Sequence, residues 1–221
     1  MAVNPSAAWA AGHPWSAVYD FFVERESLAR VAGRVAFGTD TSLLYDAIAS
    51  IGNLPAGSSV LDIPTGGGVA LRGIRQGQGI RYVAADISPD MLERARRVAR
   101  ERGVEDQVEF ETADVERLPF GVGEFDRVIS FAGLHCFPRP RVAVLEIARV
   151  MRGGGDFVGS VFLTGTGIRY APGIVAGRAA GLMGPSGSRA DLEGWMRDAG
   201  LRNVRIEVSG AIGYFRATKP E

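Results

Sequence analysis

Val60-Leu61-Asp62-Ile63-Pro64-Thr65-Gly66-Gly67-Gly68-Val69-Ala70, followed by Asp86 at the close of the next apolar run, is the stretch that decides the fold. A short strand-like run ends at an acidic residue, three glycines turn the backbone, and an Ala/Leu helical run begins. Glycines here leave the main chain bare, so a ligand can approach where side chains would stand in its way. The dinucleotide fingerprint G-x-G-x-x-G/A does not fit. Counted from Gly66 and Gly68, its third position is Leu71, where close helix–strand packing wants Gly or Ala. The Asp62 carboxylate beside the turn would also repel a pyrophosphate. It suits a ligand with a positively charged amino end.

S-adenosylmethionine meets that requirement, since its methionine half carries an ammonium and its sulfonium carries a reactive methyl. The surrounding pattern alternates. Ser59–Ile63, Arg81–Asp86, Val108–Ala113, Phe125–Phe131 and Phe157–Leu163 read as strands. Helical runs are expected at Val69–Arg75, from Asp90 to about Arg102, and at Arg141–Arg152. Ser88-Pro89-Asp90 offers an N-cap with Pro at the first helical position, and Gly153-Gly154-Gly155 halts the third helix. Strands alternating with helices predict an α/β fold, a doubly wound and mostly parallel sheet with helices on both faces. Residues 15–51 read as two helical pieces, and an N-terminal helical cap over 1–53 is expected to precede a ligand-binding domain over 54–221. Thr164–Gly187 breaks the alternation and reads as a lid. After it come a helix, Ser188–Ala199, and two strands, Val204–Val208 and Ile212–Thr218, joined by Ser209-Gly210-Ala211.

Composition narrows the class. With 46% hydrophobic and 23% charged residues the chain is globular rather than disordered. Lys+Arg and Asp+Glu both number 25, so no basic excess points to nucleic acid. A small-molecule substrate is the expectation, handled by a monomer or a homodimer. The single cysteine, Cys136, excludes an internal disulfide and a multi-cysteine metal site, and no metal is expected. Met1–Pro14 lacks the basic start and apolar core of a signal peptide, and no run approaches the ~20 apolar residues of a membrane span. A cytoplasmic location follows as an expectation.

Five motifs in order, from about Leu54 to Lys219, resemble the class I (Rossmann-type) methyltransferases that use S-adenosylmethionine, in particular the ubiquinone/menaquinone-biosynthesis group. They are Val60–Gly68, VAADISPDM at 83–91, TADVERLPF at 112–120, Phe125–Ser130 with Leu134-His135, and LEIARVMRGGGDFVGS at 145–160. The resemblance implies seven strands, the last antiparallel and inserted between the fifth and sixth. It also implies S-adenosylmethionine as cofactor and S-adenosylhomocysteine as product. Two positions depart from the family pattern: Pro64 replaces the usual first glycine, and Gly153 stands where Pro is common. Pro64 fixes φ and removes an N–H, which stiffens the turn.

The candidate cofactor residues are Asp62, Pro64, Gly66, Gly68, Asp86, Ile87, Met91, Asp114, Val115 and Ser130. Asp86, ending the second strand, can accept both ribose hydroxyls, as in nucleotide sites of doubly wound sheets; its bland alternative is a cap for the next helix. Asp62 is either a solvated strand end or the group that orients the methionine end. By the resemblance Asp114 binds the adenine amino group and Val115 supplies an amide; Asp114 also suits a turn-initiating role. Ile87 and Met91 either flank adenine or pack in the core. His135, at the carboxyl edge, is a general base or a wall of the sulfonium pocket. Tyr19, on an N-terminal helix, either lies near the sulfonium or packs in the core. Cys136 reads as a packed residue and His13 as a tail residue without a role.

The expected function is methyl transfer to an O, N or C atom of a small apolar or aromatic acceptor by in-line displacement. The alternatives are an enzyme of the same fold that uses the bound sulfonium in a rearrangement or cyclisation, and a non-catalytic binding module.

Overall fold

The computed structural model describes residues 33–179 and 183–221. Tyr19, His13 and the first expected helical piece lie outside the described residues. Seven strands form one sheet: β1 Ser59–Asp62, β2 Arg81–Asp86, β3 Val108–Thr112, β4 Phe125–Phe131, β5 Met151–Phe162, β6 Arg202–Ser209 and β7 Ile212–Thr218, in the order β3-β2-β1-β4-β5-β7-β6. β1 to β5 pair in parallel, whereas β7 runs antiparallel to both β5 and β6. This is the expected seven-stranded arrangement, with the last strand inserted between the fifth and sixth. All of β1, and β2 beyond Arg81, is buried, because helices cover both faces.

The five α-helices among the described residues are α1 Ser42–Ala49, α2 Pro89–Arg102, α3 Pro140–Val150, α4 Ala171–Ala179 and α5 Arg189–Asp198. α3 and α5 place Val144, Ile147, Leu192 and Met196 in one apolar cluster with Leu61, Val128 and Phe157. α1 and α2 place Ile48, Ala95 and Ala99 in another, with Val60, Tyr82, Ala84 and Ile129. These partners alternate along the strands, so each cluster lies on one sheet face. Ile48 and Ile51 therefore share a core with β1 and β2.

Local chemistry explains the ends. α2 starts with Pro89 and stops at Gly103, whose φ of 66° is the left-handed cap that glycine adopts cheaply. α5 has a full capping box between Ser188 and Asp191. Ser88 precedes α2 as expected, but its side chain makes no capping bond.

Three elements differ from the sequence expectations. The short helix expected over Val69–Arg75 is a 3-10 helix that ends earlier, at Val69–Gly73, and a Cβ at Gly73 would run into the Ile48 carbonyl and the Ile51 side chain. β5 begins at Met151, so Gly153-Gly154-Gly155 lies within a strand whose pairing with β4 shifts register between Phe125 and Arg127. The 164–187 segment carries a 3-10 turn, Ile168–Tyr170, and α4.

One buried ion pair crosses the sheet. Arg127 donates to Asp156 through Nε at 2.9 Å and Nη2 at 3.0 Å, and its Nη1 reaches Ser50 Oγ at 3.1 Å. Arg216 of β7 adds a second contact to Asp156 at 2.9 Å.

Candidate active site

β1 and β4 are neighbours, yet the chain leaves β1 towards β2 and β3 before crossing back to β4. At such a reversal the loops beyond the carboxyl ends diverge and open a crevice. The 63–68 turn lies there. Its first amide, Ile63 N–H, donates to Ile129 O at 2.9 Å, and Thr65 N–H donates to Ala85 O at 2.8 Å. The Ile63–Pro64 peptide is cis.

The two outer glycines serve different ends. Gly66 has φ 53°, and a Cβ there would meet nothing within 4 Å among the described residues. Gly68 has φ 88°, and its Cβ would lie 2.8 Å from Leu71 Cδ1 and 3.1 Å from Ala95 Cα. Gly66 permits approach from outside; Gly68 permits close packing against α2.

The buried Asp86 carboxylate ties the turn to β2. Oδ2 accepts Gly66 N–H at 2.9 Å, and Oδ1 accepts Ser88 N–H at 2.9 Å. A carboxylate oxygen carries two lone pairs and can accept more than one donor. Asp62 is buried as well. Its Oδ2 accepts Thr65 Oγ1–H at 2.8 Å and Tyr82 Oη–H at 2.9 Å. Burial pushes its carboxyl up to about 7; the Thr65 and Tyr82 hydrogen bonds oppose the rise, and the nearby Asp86 charge adds to it.

Beside the turn, Ile63, Pro64, Ile87, Asp114, Val115 and Phe137 line a narrow crevice. Asp114 is exposed and its Oδ1 accepts Glu116 N–H at 2.9 Å, a local Asx-type turn. Met91 is buried in the first turn of α2 and is not among the crevice residues. Ser130, near the end of β4, has a fully buried Oγ without a hydrogen-bond partner among the described residues. That hydroxyl lies where a Cβ on Gly133 would overlap both it and Pro64 Cδ.

His135 is buried. Its Nδ1 accepts Phe162 N–H at 3.3 Å, and its ring meets Phe162 edge-on at 4.8 Å. Burial depresses its pKa to about 3, so the ring is neutral near pH 7, and acceptance at Nδ1 puts the remaining proton on Nε2. Cys136 keeps its proton too: burial pushes the thiol up to about 12, and its Sγ donates to Ala132 O at 3.6 Å. Phe162 also packs edge-on against Phe37, with centroids 4.9 Å apart. Near them is an open groove of about 610 Å³, lined by Gly38, Thr166, Ile168, Arg169, Tyr170 and Val208. That volume is of small-molecule size.

The residues present fit S-adenosylmethionine. The open face of Gly66, the unpartnered Ser130 hydroxyl, two carboxylates and an apolar crevice supply what an adenosine joined to an amino acid requires. The sequence singled out both acids, the glycines and Ser130, but not Thr65, Tyr82 or Phe137. A Phe immediately after the His135-Cys136 pair was the available signal for the last. Among the described residues no group of His, Cys, Asp and Glu could hold a metal ion. Nor is any helix among them long and apolar enough to cross a membrane.

Comparison with known proteins agrees with this geometry. A family described as a methyltransferase domain matches residues 61–159, from β1 to β5. A ubiquinone biosynthesis O-methyltransferase of Xanthomonas axonopodis is 30% identical over 167 residues, covering 72% of this chain and 67% of that protein. The chain belongs to the class I S-adenosylmethionine-dependent methyltransferases. An uncharacterised chloroplastic methyltransferase of Arabidopsis thaliana is 38% identical over 120 residues, covering 52% of this methyltransferase-family chain and 33% of that relative. The chain spans about half or less of the length of several curated relatives it matches. Among solved structures, a geranyl diphosphate methyltransferase in complex with S-adenosylmethionine superposes with TM-score 0.68 at 18% identity, over 99% of this chain and 97% of that one. At that identity the likeness concerns the fold.

Proposed function

We propose that the chain binds S-adenosylmethionine across the 63–68 turn and transfers its methyl to an O, N or C atom of a small, apolar or aromatic acceptor. One observation carries the reading: the Asp86 carboxylate ties the glycine turn to the end of β2 through Gly66 N–H at 2.9 Å, and the next residue, Ile87, lines the crevice beside that turn. Asp86 accepts the ribose hydroxyls at the carboxyl end of β2. Ile87, Val115 and Phe137 flank the adenine, with Asp114 and the Val115 amide at its polar edge. Asp62 orients the methionine ammonium. Pro64 and the bare backbone at Gly66 bound the methionine half, Gly68 holds the turn against α2, and Ser130 donates its otherwise unpartnered hydroxyl.

When bound, S-adenosylmethionine supplies a methyl on a sulfonium whose departing group is a neutral thioether. The chain therefore needs no oxyanion hole. Its residues bind, align and exclude water, and alignment of two reactants contributes up to ~7–11 kcal/mol. The His135 ring, neutral and fixed through Nδ1, serves as a wall of the methyl chamber rather than as a base. The acceptor lies in the groove beside the Phe37–Phe162 pair, where Tyr170 and Ile168 give it an apolar side. Ile168 is 94% exposed, as suits a side chain that an apolar acceptor covers.

The test is incubation with methyl-labelled S-adenosylmethionine and a panel of phenols, quinones and amines, read by mass spectrometry. Label in an acceptor, in step with S-adenosylhomocysteine release, is expected. Conversion of an acceptor with the cofactor unchanged would replace this reading with rearrangement or cyclisation.

A further inference from the structure

Tyr82 is a fully buried phenol near the start of β2, in register with Val60 rather than with Asp62. Residues 60 and 62 of β1 point to the same face, so the Tyr82 side chain reaches along that face to the next outward position of the neighbouring strand. Its hydroxyl ends 2.9 Å from Asp62 Oδ2. Thr65 Oγ1 reaches the same oxygen from the turn at 2.8 Å. Among the described residues both donors go to Oδ2 and none to Oδ1. One carboxylate oxygen is anchored twice, and the other is left for a donor that arrives from outside.

We propose that Tyr82 is a positioning residue for cofactor binding: its phenol fixes the Asp62 carboxylate and keeps it ionised for the methionine ammonium. This rests on the assignment of Asp62 to that ammonium. A phenol in this place is a pure donor, since burial and the adjacent Asp62 raise its own pKa well above the ordinary value of 10. A donor to a carboxylate favours the charged form and opposes the burial that drives Asp62 towards protonation. Among the described residues, other charges on that sheet face do not supply this. Asp86 works against it. Arg127, one same-face position below on β4, is engaged by Asp156 and Ser50. Tyr45 of α1 packs on the same apolar cluster and carries no basic group, and the Tyr214 hydroxyl bonds Thr39 Oγ1 at 3.0 Å.

The experiment is calorimetric titration with S-adenosylhomocysteine between pH 5 and 8 for the wild type, Asp62→Asn and Tyr82→Phe, with thermal melts to establish folding. Wild-type affinity should climb with pH and level off above an inflection near 7. Asp62→Asn should remove the inflection. Tyr82→Phe should move it upward by about one pH unit and weaken binding at pH 7 about 5-fold. Uniform 3-fluorotyrosine labelling of the wild type, which strengthens phenolic donors without deleting any, should move it downward and decides the matter if Tyr82→Phe does not fold. An inflection that survives in Asp62→Asn would overturn the Asp62 assignment itself. A flat Asp62→Asn profile, with the inflection unmoved in Tyr82→Phe or in the fluorinated protein, would overturn only the role of Tyr82.

Discussion

Asp86 has two backbone hydrogen bonds to give up before any ligand enters, and this makes it the most consequential single side chain in the site. Replacing it with alanine frees the amides of Gly66 and Ser88 and removes the ribose acceptor. Two hydrogen bonds to a charged acceptor, each worth about 1.5 kcal/mol or more, predict an S-adenosylhomocysteine affinity at least ~100-fold weaker, read by calorimetry. Asp62 yields a pH prediction of the opposite kind from most acids. Its folded pKa, about 7, lies above the ordinary value of 3.8, so the folded state holds more protons than the unfolded chain between those values. Stability of the ligand-free chain therefore falls as pH rises through that window, and Asp62→Asn should flatten that part of the curve in urea titrations. Both acids were legible in the sequence because each ends a strand at a fixed distance from a glycine turn. Tyr82 was not. Its partner lies on another strand, diagonal to it, and no spacing along the chain encodes a diagonal contact.

At the scale of elements, the glycine turn separates binding from folding. A Cβ on Gly66 enters empty space and carries only the backbone cost of a left-handed residue, roughly 1–2 kcal/mol. Gly66→Ala should therefore melt only modestly lower yet bind S-adenosylhomocysteine at least ~10-fold more weakly, since the methyl occupies the ligand's approach. Gly68→Ala adds overlap with Leu71 and Ala95 to the same backbone strain, and should lose about 2–4 kcal/mol in denaturant titration. Equal melting of the two variants would contradict this division. The alternating strands and helices were legible because apolar periodicity and caps coincide, as at Pro89 and Gly103. Glycine misled at one place. Gly153-Gly154-Gly155 reads as a stop but forms a register shift inside β5, where a Cβ on Gly155 would strike the Arg152 and Asp126 carbonyls.

For the whole molecule, the order β3-β2-β1-β4-β5-β7-β6 makes one surface, the carboxyl edge of β1, β2 and β4, the place where ligand groups converge. The opposite half of the sheet is held in part by Arg127 and Asp156, which join β4, β5 and β7 to Ser50. Asp156→Ala leaves the Arg127 guanidinium buried without its anion and should cost about 3–5 kcal/mol in equilibrium unfolding. Because the pair lies outside the proposed site, a folded Asp156→Ala chain should keep near-wild-type affinity for S-adenosylhomocysteine. The topology was legible through the family resemblance, whereas the ion pair was hidden because its partners are 29 residues apart on adjacent strands. A crystal structure with S-adenosylhomocysteine tests the central claim most directly. The expected result is ribose hydroxyls on Asp86, adenine between Ile87 and Phe137, and the amino-acid end over Gly66 towards Asp62. Ligand bound elsewhere with the 63–68 turn bare, or no ligand at saturating concentration, would contradict it.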